Sequence, residues 1–431
     1  MSEQRTQRFP WAGRNYRIQT AATVVSGLGN AAAPIATAFA VLGQGGGAAE
    51  VGYVTAARSV PLVLFLLLGG ALADRLPRHR VMVGANAFNA LSQAGLAALV
   101  LSGQDALWPL MVLSAAGGAG QAFYAPAAEG LILQSVATEH AGKAFSVFKM
   151  AVNAAQIGGA ALGGALVGLV GPGWVLALDA GCFAVAAALR VLLRVEPADR
   201  PSADHGMVHE LRVGWHEFRS RRWLWAVVVQ FGLVNACVLA YEAVYGPVVA
   251  EQRLGGAGDW GLAMAALSVG MLAGGVLMTR WQPRRLLLAG NNGVFLFALP
   301  AVALALTAPV PVIVAAMFLS GVGVTVFSVG WMVTLHQEIP SELVSRISAY
   351  DSLGSFALLP LGTALAGPAA DALGLTGALW ACTAVILALS AAVLAAPEVR
   401  RLTRAVPETP ETPQAPAAPT PVPEAESVTS G

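Results

Sequence analysis

Residues 69–80 read GGALADRLPRHR, a short charged stretch between two apolar ones. One acid, Asp74, is followed closely by three arginines, Arg75, Arg78 and Arg80. The purely apolar run VPLVLFLLL precedes it at 60–68, and the nearly uncharged VMVGANAFNALSQAGLAALVLSG follows it at 81–103. Such a hinge predicts that the chain turns at a membrane surface between two spanning segments.

The composition supports a membrane location for the whole chain. Of its 431 residues, 56% are hydrophobic and 11% are charged, whereas soluble proteins carry about 25% charged residues. The mean hydropathy is +0.65. The three cysteines lie in apolar stretches without metal-ligand spacing, so we interpret them as packing residues. The sequence predicts an all-α membrane protein.

A helix needs about 20 mostly apolar residues to cross about 30 Å of hydrocarbon. The sequence predicts twelve such helices, at 15–43, 50–73, 81–102, 106–135, 143–170, 173–194, 222–248, 257–279, 285–307, 310–336, 345–371 and 375–397. The polar, basic N-terminus before the first long apolar segment favours a spanning helix over a cleaved signal peptide.

Positive charge is confined to alternate loops of this arrangement. Lysines and arginines precede the first span and follow every even-numbered span, whereas the odd-numbered loops hold only Arg253. Because loops rich in lysine and arginine stay in the cytoplasm, both termini are expected to be cytoplasmic. We expect a multi-pass protein of the plasma membrane.

The chain also repeats itself. LILQSVATEHAGKAFS at 131–146 aligns with TLHQEIPSELVSRISA at 334–349, so that Lys143 matches Arg346. This repeat predicts two pseudo-symmetric six-helix bundles with a substrate site between them near the midplane. The expected parts are a cytoplasmic N-terminus (1–14), a first bundle (15–195), a linker with an amphipathic helix (196–221), a second bundle (222–397) and a disordered cytoplasmic tail (398–431).

The opening stretch resembles the loop 2–3 signature of the major facilitator superfamily, roughly G-x-x-x-D-R-x-G-R-R/K. The match falls on Gly70, Asp74, Arg75, Arg78 and Arg80, and Pro77 stands where the family usually has glycine. Three further stretches resemble the drug-exporter branch that includes macrolide and enterobactin exporters: AFYAPAAEGLILQSV at 122–136, QEIPSELVSRIS at 337–348 and LPLGTALAGPAADALG at 359–374.

The resemblance implies proton-coupled export of hydrophobic or amphipathic small molecules. It implies that Asp74 rests against the start of span eleven, near Arg346, and steadies the outward-open state. A Gly-Pro-x-x-Gly-Gly pattern typical of many exporters is altered here, since Ala160 replaces the proline. We expect a monomer whose partners are the substrate, protons and the bilayer, with no nucleic acid and no cofactor beyond the proton gradient.

Charged residues inside spans are costly and therefore candidate functional groups. The proton-coupling candidates are Asp179, Glu242 and Asp351, and the substrate-cavity candidates are Arg58, Tyr124, Asn153 and Asn235. Structural alternatives remain open for each charge: Arg58 and Asp179 could form an ion pair, Asp351 could reach the inner surface, and Glu242 could lie at the outer headgroups.

Other function classes lack their motifs. The chain has only two lysines, and neither follows the glycine pattern of an ATP-binding loop. The scattered histidines do not have metal-ligand spacing, and we expect neither a metal site nor an enzyme. Two alternatives share the fold: an importer or facilitator for a metabolite, for which Trp331 and Asn235 give slight support, and a sensor that transports nothing.

Overall fold

The computed structural model describes residues 12–75, 78–104, 106–134, 136, 140–193, 215–281 and 283–402. Within these ranges it describes the backbone but not the side chains of 66–75, 78, 124–130, 132–134, 141–142, 341–342, 345–346, 349 and 401. The described residues form helices joined by short turns, without a strand.

Six helices make up the first part of the chain. They are α1 (Arg14–Gly43), α2 (Ala48–Arg75), α3 (Arg78–Leu101), α4 (Leu107–Gln134), α5 (Ala141–Val170) and α6 (Pro172–Val191). The connections between α1 and α2 and between α5 and α6 are tight, because glycines with positive φ at Gly45 and Gly171 reverse the chain.

The second part is more broken. It comprises α7 (Arg222–Ala240), a π-helical turn (Tyr241–Tyr245), α8 (Gly246–Arg253), α9 (Ala257–Arg280), α10 (Leu286–Val294), a 3₁₀ turn (Phe295–Phe297), α11 (Ala298–Ala305), α12 (Val310–Glu338), α13 (Ser341–Phe356), α14 (Leu359–Ala395) and α15 (Pro397–Arg401). A straight helix as long as α14 would measure about 55 Å, but Gly374 has a φ of 72° and divides it in two.

Nine segments of the described chain are long and apolar enough to cross a membrane: Arg14–Gly43, Ala48–Phe65, Lys143–Val170, Pro172–Val191, Arg222–Arg253, Ala257–Arg280, Leu286–Ala305, Val310–Glu338 and Tyr350–Ala395. Polar residues such as Asn86, Asn89 and Gln93 lower the hydropathy of α3. The predicted bounds of spans one to six, eight and ten lie within a few residues of the helix ends. Span seven continues through the π-helical turn to Arg253, and span nine is interrupted by the 3₁₀ turn. Spans eleven and twelve differ most, because one helix ends at Phe356 and the next runs from Leu359 to Ala395 with its break at Gly374.

The helices pack in two similar patterns. In the first part, α1 packs on α5 and α6, α3 packs on α4 and α6, and α2 packs on α4. In the second part, α12 packs on α9 and α10, while α14 packs on α7 and α11 and α13 packs on α7. The two parts meet chiefly where α5 packs on α9 and where α2 packs on α14.

Backbones approach closely at both of these contacts. A Cβ atom added to Gly164 of α5 would lie 2.5 Å from the Cα of Gly261 of α9. A Cβ atom added to Gly52 of α2 would lie 2.6 Å from the carbonyl oxygen of Thr363 of α14. Small residues therefore set the distance between the two parts, as they do between membrane helices in general.

The predicted linker helix is described only at its end. Residues 215–220 are helical, and Phe218 is buried against Tyr350 of α13 at a ring-centroid distance of 5.9 Å. Trp215, three residues earlier on this helix, is half exposed but also contacts Tyr350. The rest of the linker and the predicted disordered tail beyond 402 lie outside the described residues, so the limits of these parts stay predictions.

We expect Gly270→Ala to weaken the packing of α9 on α12. Its Cβ would overlap the backbone carbonyl of Phe318, whereas a Cβ at Gly275 of the same helix meets nothing within 4 Å. Because backbone cannot move aside like a side chain, we expect Gly270→Ala to lower the free energy of unfolding by about 1–3 kcal/mol. Thermal unfolding of the purified protein in detergent measures this, with Gly275→Ala as the matched control. Equal melting temperatures for the two variants would contradict the packing described here.

Candidate functional site

The polar groups inside the helical bundle fall into four clusters, each next to one of the charged residues singled out from the sequence. The charged residues are Arg58 on α2, Asp179 on α6, Glu242 in the π-helical turn and Asp351 on α13. Each lies within a helical segment that the sequence places in the membrane, where a charge needs a partner or a solvated space.

Arg58 is held by two neutral amides. Its Nη2 donates to Oδ1 of Asn30 on α1 at 3.0 Å and to Oε1 of Gln121 on α4 at 2.8 Å. All three side chains are partly exposed. The predicted alternative of an ion pair between Arg58 and Asp179 is wrong for this structure, because no ion pair within 4 Å joins these two described side chains.

Asp179 is fully buried where α6 packs between α1 and α3. Gln93 of α3 donates from Nε2 to Oδ2 of Asp179 at 2.5 Å, whereas Oδ1 has no hydrogen-bond partner in the described chain. Its backbone also touches α1, since a Cβ atom at Gly29 would lie 3.0 Å from the Cα of Asp179. The carboxyl group is thus enclosed within the first part of the chain.

Glu242 lies in the π-helical turn, which contacts α1 and α2 of the first part of the chain. Its side chain is partly exposed. Neighbouring Tyr245 donates from its hydroxyl to the carbonyl oxygen of Ala366 on α14 at 2.9 Å. Local π-helical turns within α-helices occur frequently at functional sites, and this one places a carboxyl group where the two parts of the chain meet.

The carboxyl group of Asp351 accepts hydrogen bonds from two side chains of the second part of the chain. Nε1 of Trp331 on α12 donates to Oδ2 of Asp351 at 2.9 Å, and the hydroxyl of Ser355 donates to Oδ1 at 3.3 Å. Asn235 of α7 donates from Nδ2 to the carbonyl oxygen of Ser355 at 3.1 Å. The carboxyl group is therefore fixed by side chains and does not depend on reaching the membrane surface.

A row of aromatic rings continues from this cluster. The rings of Phe231 and Phe327 stack at a centroid distance of 4.3 Å, and Phe327 is parallel to Trp331 at 6.2 Å. Trp223 meets Trp331 edge to face at 5.8 Å. The row packs α7 against α12 and ends at the carboxyl group that Trp331 holds, with the rings of Phe327, Trp331 and Trp223 buried and that of Phe231 partly exposed.

The remaining predicted residues have different outcomes. Asn153 is partly exposed on α5. Arg80 is exposed and lines a crevice of about 430 Å³ with Phe65, Phe88 and Phe123, away from the other clusters. The other members of the predicted gating motif and one cavity candidate lie outside the side chains that the structure describes: Gly70, Asp74, Arg75, Arg78, Arg346 and Tyr124.

Sequence reasoning missed a fifth charge inside the bundle, Arg190. It is fully buried at the end of α6, where Nε donates to Oε1 of Gln19 at 3.2 Å and Nη2 donates to the hydroxyl of Thr23 at 2.9 Å, both on α1. Arg190 lies near the predicted basic loop after span six, so nothing in the sequence separated it from the arginines of that loop. The polar residues that α1 presents one turn apart, Gln19 and Thr23, are the signal that could have revealed it.

Comparison with known proteins identifies the family. The sequence profile of the Major Facilitator Superfamily matches residues 20–359. The chain belongs to this superfamily. It is 28% identical to the multidrug efflux pump Tap of Mycolicibacterium fortuitum over 89% of this chain and 96% of that protein. It is 22% identical to macrolide efflux protein A of Streptococcus pyogenes over 87% of this chain and 93% of that protein.

Solved structures agree on the fold. A POT family transporter in complex with 5-aminolevulinic acid superimposes with a TM-score of 0.72 at 11% identity, covering 90% of this chain and 98% of that one. An inward-facing bacterial homologue of the lysosomal transporter Spinster gives a TM-score of 0.68 at 17% identity, covering 90% and 98%. The predicted resemblance is confirmed: the chain is a superfamily transporter of the drug-exporter branch and not an enzyme.

We expect Arg190→Leu to destabilise the first six helices. Removing the guanidinium leaves Gln19 and Thr23 buried without this donor, and a buried polar group that loses its partner typically costs about 1–3 kcal/mol. The exposed Arg253, at the end of α8, provides the control Arg253→Leu. Size-exclusion chromatography after heating measures the monodisperse fraction of each variant. A melting temperature for Arg190→Leu equal to that of the control would show that the cluster contributes nothing to stability.

Proposed function

We propose that this transporter exports hydrophobic or amphipathic small molecules in exchange for protons, by alternating access between two six-helix bundles. The observation that carries the proposal is the aromatic row Phe231–Phe327–Trp331, which ends at the carboxyl group of Asp351. Phe327 and Trp331 are buried and Phe231 is partly exposed, so the row places an apolar wall beside an intramembrane acid that can exchange a proton. The efflux relatives support the same direction of transport.

A twelve-helix arrangement accommodates the described helices. It adds α3 and α4 to the nine segments of sufficient hydropathy, since these helices have 24 and 28 residues. It also divides the segment Tyr350–Ala395 at Gly374. The bundles are then α1–α6 and α7–α14, with pseudo-symmetric contacts between them at α2–α14 and α5–α9.

The two contacts between the bundles lie toward the same side of the proposed membrane. Gly52 is near the start of α2, Gly164 is near the end of α5 and Gly261 is near the start of α9. In the orientation that the basic loops favour, this is the outer side. The proposal therefore assigns the structure to an inward-facing state, closed where glycines meet and open toward the cytoplasm.

Three acids are candidates for proton exchange, and their positions differ. Asp179 is enclosed between α1, α3 and α6, and Asp351 is fixed by Trp331 and Ser355. Glu242 is partly exposed in a turn that contacts the opposite bundle. A coupling acid must be reached from each side in turn, so its surroundings must change when the bundles move. Glu242 meets this requirement most directly.

We expect substrate-dependent proton flux to be lost in one of the amide variants Asp179→Asn, Glu242→Gln or Asp351→Asn. Inside-out vesicles are energised with a proton gradient and supplied with a panel of lipophilic cations and antibiotics, and a pH-sensitive dye reports the gradient. An amide is close in size to the acid and keeps one acceptor oxygen, but it cannot exchange the proton. Arg253→Gln, which changes an exposed side chain and leaves all three acids intact, is the control. Coupled flux that survives in every amide variant would overturn the proposed coupling.

We expect Gly164→Leu to prevent closure of the α5–α9 contact, because its side chain would occupy the position of the Gly261 backbone. Gly168→Leu, one turn further along α5, is the matched control, since a Cβ there meets nothing within 4 Å. Export should fall at least about tenfold in Gly164→Leu, which corresponds to a barrier of about 1.4 kcal/mol, and remain unchanged in Gly168→Leu. Wild-type export by a well-folded Gly164→Leu protein would contradict closure at this contact.

Import of a metabolite is the second candidate function, and Trp331 with Asn235 was its support in the sequence. Both side chains donate their hydrogen bonds to groups of the protein itself, Asp351 and Ser355. This use favours a structural role for them over recognition of a polar metabolite. Uptake of radiolabelled metabolites into right-side-out vesicles, in the absence of any flux response to the export panel, would favour the importer.

A further inference from the structure

We propose that Arg58 is the anion-binding subsite of the transport pathway and receives the carboxylate of an amphipathic substrate. This inference rests on the proposed export function and adds a substrate class to it. It predicts that the transporter distinguishes a substrate bearing a free carboxylate from the corresponding neutral ester.

The first support is the charge of Arg58 and what surrounds it. An arginine keeps its positive charge in proteins, and a charge inside a membrane is normally paired with an opposite one. The hydrogen-bond partners of Arg58 are both neutral amides, Asn30 and Gln121. Asp179 forms no ion pair within 4 Å with Arg58. Among the described side chains, no acid therefore pairs directly with this cation.

The second support is the hydrogen-bonding capacity that remains. A guanidinium has five N–H donors in a planar fork, and both bonds to the amides leave from Nη2. Neither Nε nor Nη1 has a hydrogen-bond partner among the described residues, and the Arg58 side chain is partly exposed. The Nε–H and the two N–H groups of Nη1 are thus left to donate to carboxylate oxygens, each through its own charge-assisted hydrogen bond.

The third support is how firmly the fork is positioned. Asn30 and Gln121 present their oxygens from α1 and α4, on either side of α2. The backbone of α2 is fixed at the same place, because a Cβ atom at Gly118 of α4 would overlap the carbonyl of Arg58. Gln121 and Asn30 are thus positioning residues that orient the guanidinium and leave its other donors available to a ligand.

The matched dyes rhodamine 110 and rhodamine 123 test this subsite. They share one cationic ring system and differ in a single group, which is a free carboxylate in rhodamine 110 and its methyl ester in rhodamine 123. Fluorescence anisotropy measures the binding of each dye to the full-length protein in phosphatidylcholine nanodiscs, after subtraction of empty nanodiscs. No proton gradient is applied, so the assay is independent of transport.

We expect Arg58→Gln to bind rhodamine 110 about 10- to 100-fold more weakly than wild type, the range for a lost charged hydrogen bond. Binding of rhodamine 123 should stay the same or strengthen, because the variant removes a charge that repels a cation. Arg58→Lys should restore part of the binding of the acid, and Gln121→Leu should weaken binding of the acid without affecting the ester. Arg253→Gln is the control for removal of an exposed arginine.

Equal loss of both dyes in Arg58→Gln would overturn the subsite and assign Arg58 a structural role. Failure of the wild type to bind rhodamine 110, or unchanged binding of rhodamine 110 in Arg58→Gln, would overturn it as well. If Arg58→Gln does not fold, Arg58→Lys and Gln121→Leu are compared with wild type instead. Equal loss of both dyes, or unchanged binding of rhodamine 110, in these variants would again overturn the subsite. Carboxylate-selective binding without export would overturn the proposed function alone.

Discussion

The contact of Gly164 with Gly261 is the interaction on which the rest of the structure depends. It brings the backbones of α5 and α9 together without intervening side chains, and the α2–α14 contact at Gly52 repeats this arrangement. In lipid, apolar surfaces gain little by leaving the solvent, so close packing of small residues supplies the attraction between helices. Close packing of this kind stabilises the joined parts only while the glycine backbones are in contact. Such contacts can separate as units, which a rocking motion requires.

Buried polar groups add a second constraint, and the two parts of the chain meet it differently. In the first part, Asp179 and Arg190 are fully buried between helices that contact them from both sides. In the second part, Asp351 and Glu242 are partly exposed. A buried polar cluster holds its helices in one arrangement because separation would leave charges without partners. The second part also has a buried polar cluster, in which Gln230 and Asn291 donate to Ser390. The difference is that the acids of the second part, unlike Asp179, lie where their surroundings can change.

Segment hydropathy was enough to predict where most of the helices lie, because about 20 apolar residues are needed for a span. It did not predict the π-helical turn at Tyr241–Tyr245 or the break after Phe356. The break at Gly374 was predictable for the same reason, since one helix of that length exceeds a bilayer. The polar pairs were not predictable. Trp331 and Asp351 are 20 residues apart on different helices, and their contact depends on helix rotation that hydropathy does not define. Arg190 was missed because a charge near a helix end has the same sequence signature whether it faces the core or water.

The charges that remain accessible have opposite signs in the two parts of the chain. Arg58 carries the positive charge of the first part, and Glu242 and Asp351 carry the negative charges of the second. The aromatic row beside Asp351 belongs to the second part as well. A zwitterionic or amphipathic molecule between the bundles would contact groups that move relative to each other, so its binding energy would differ between the two states. Only such a difference allows a ligand to shift a conformational equilibrium, and the distribution of charge between α2 and the C-terminal helices provides it.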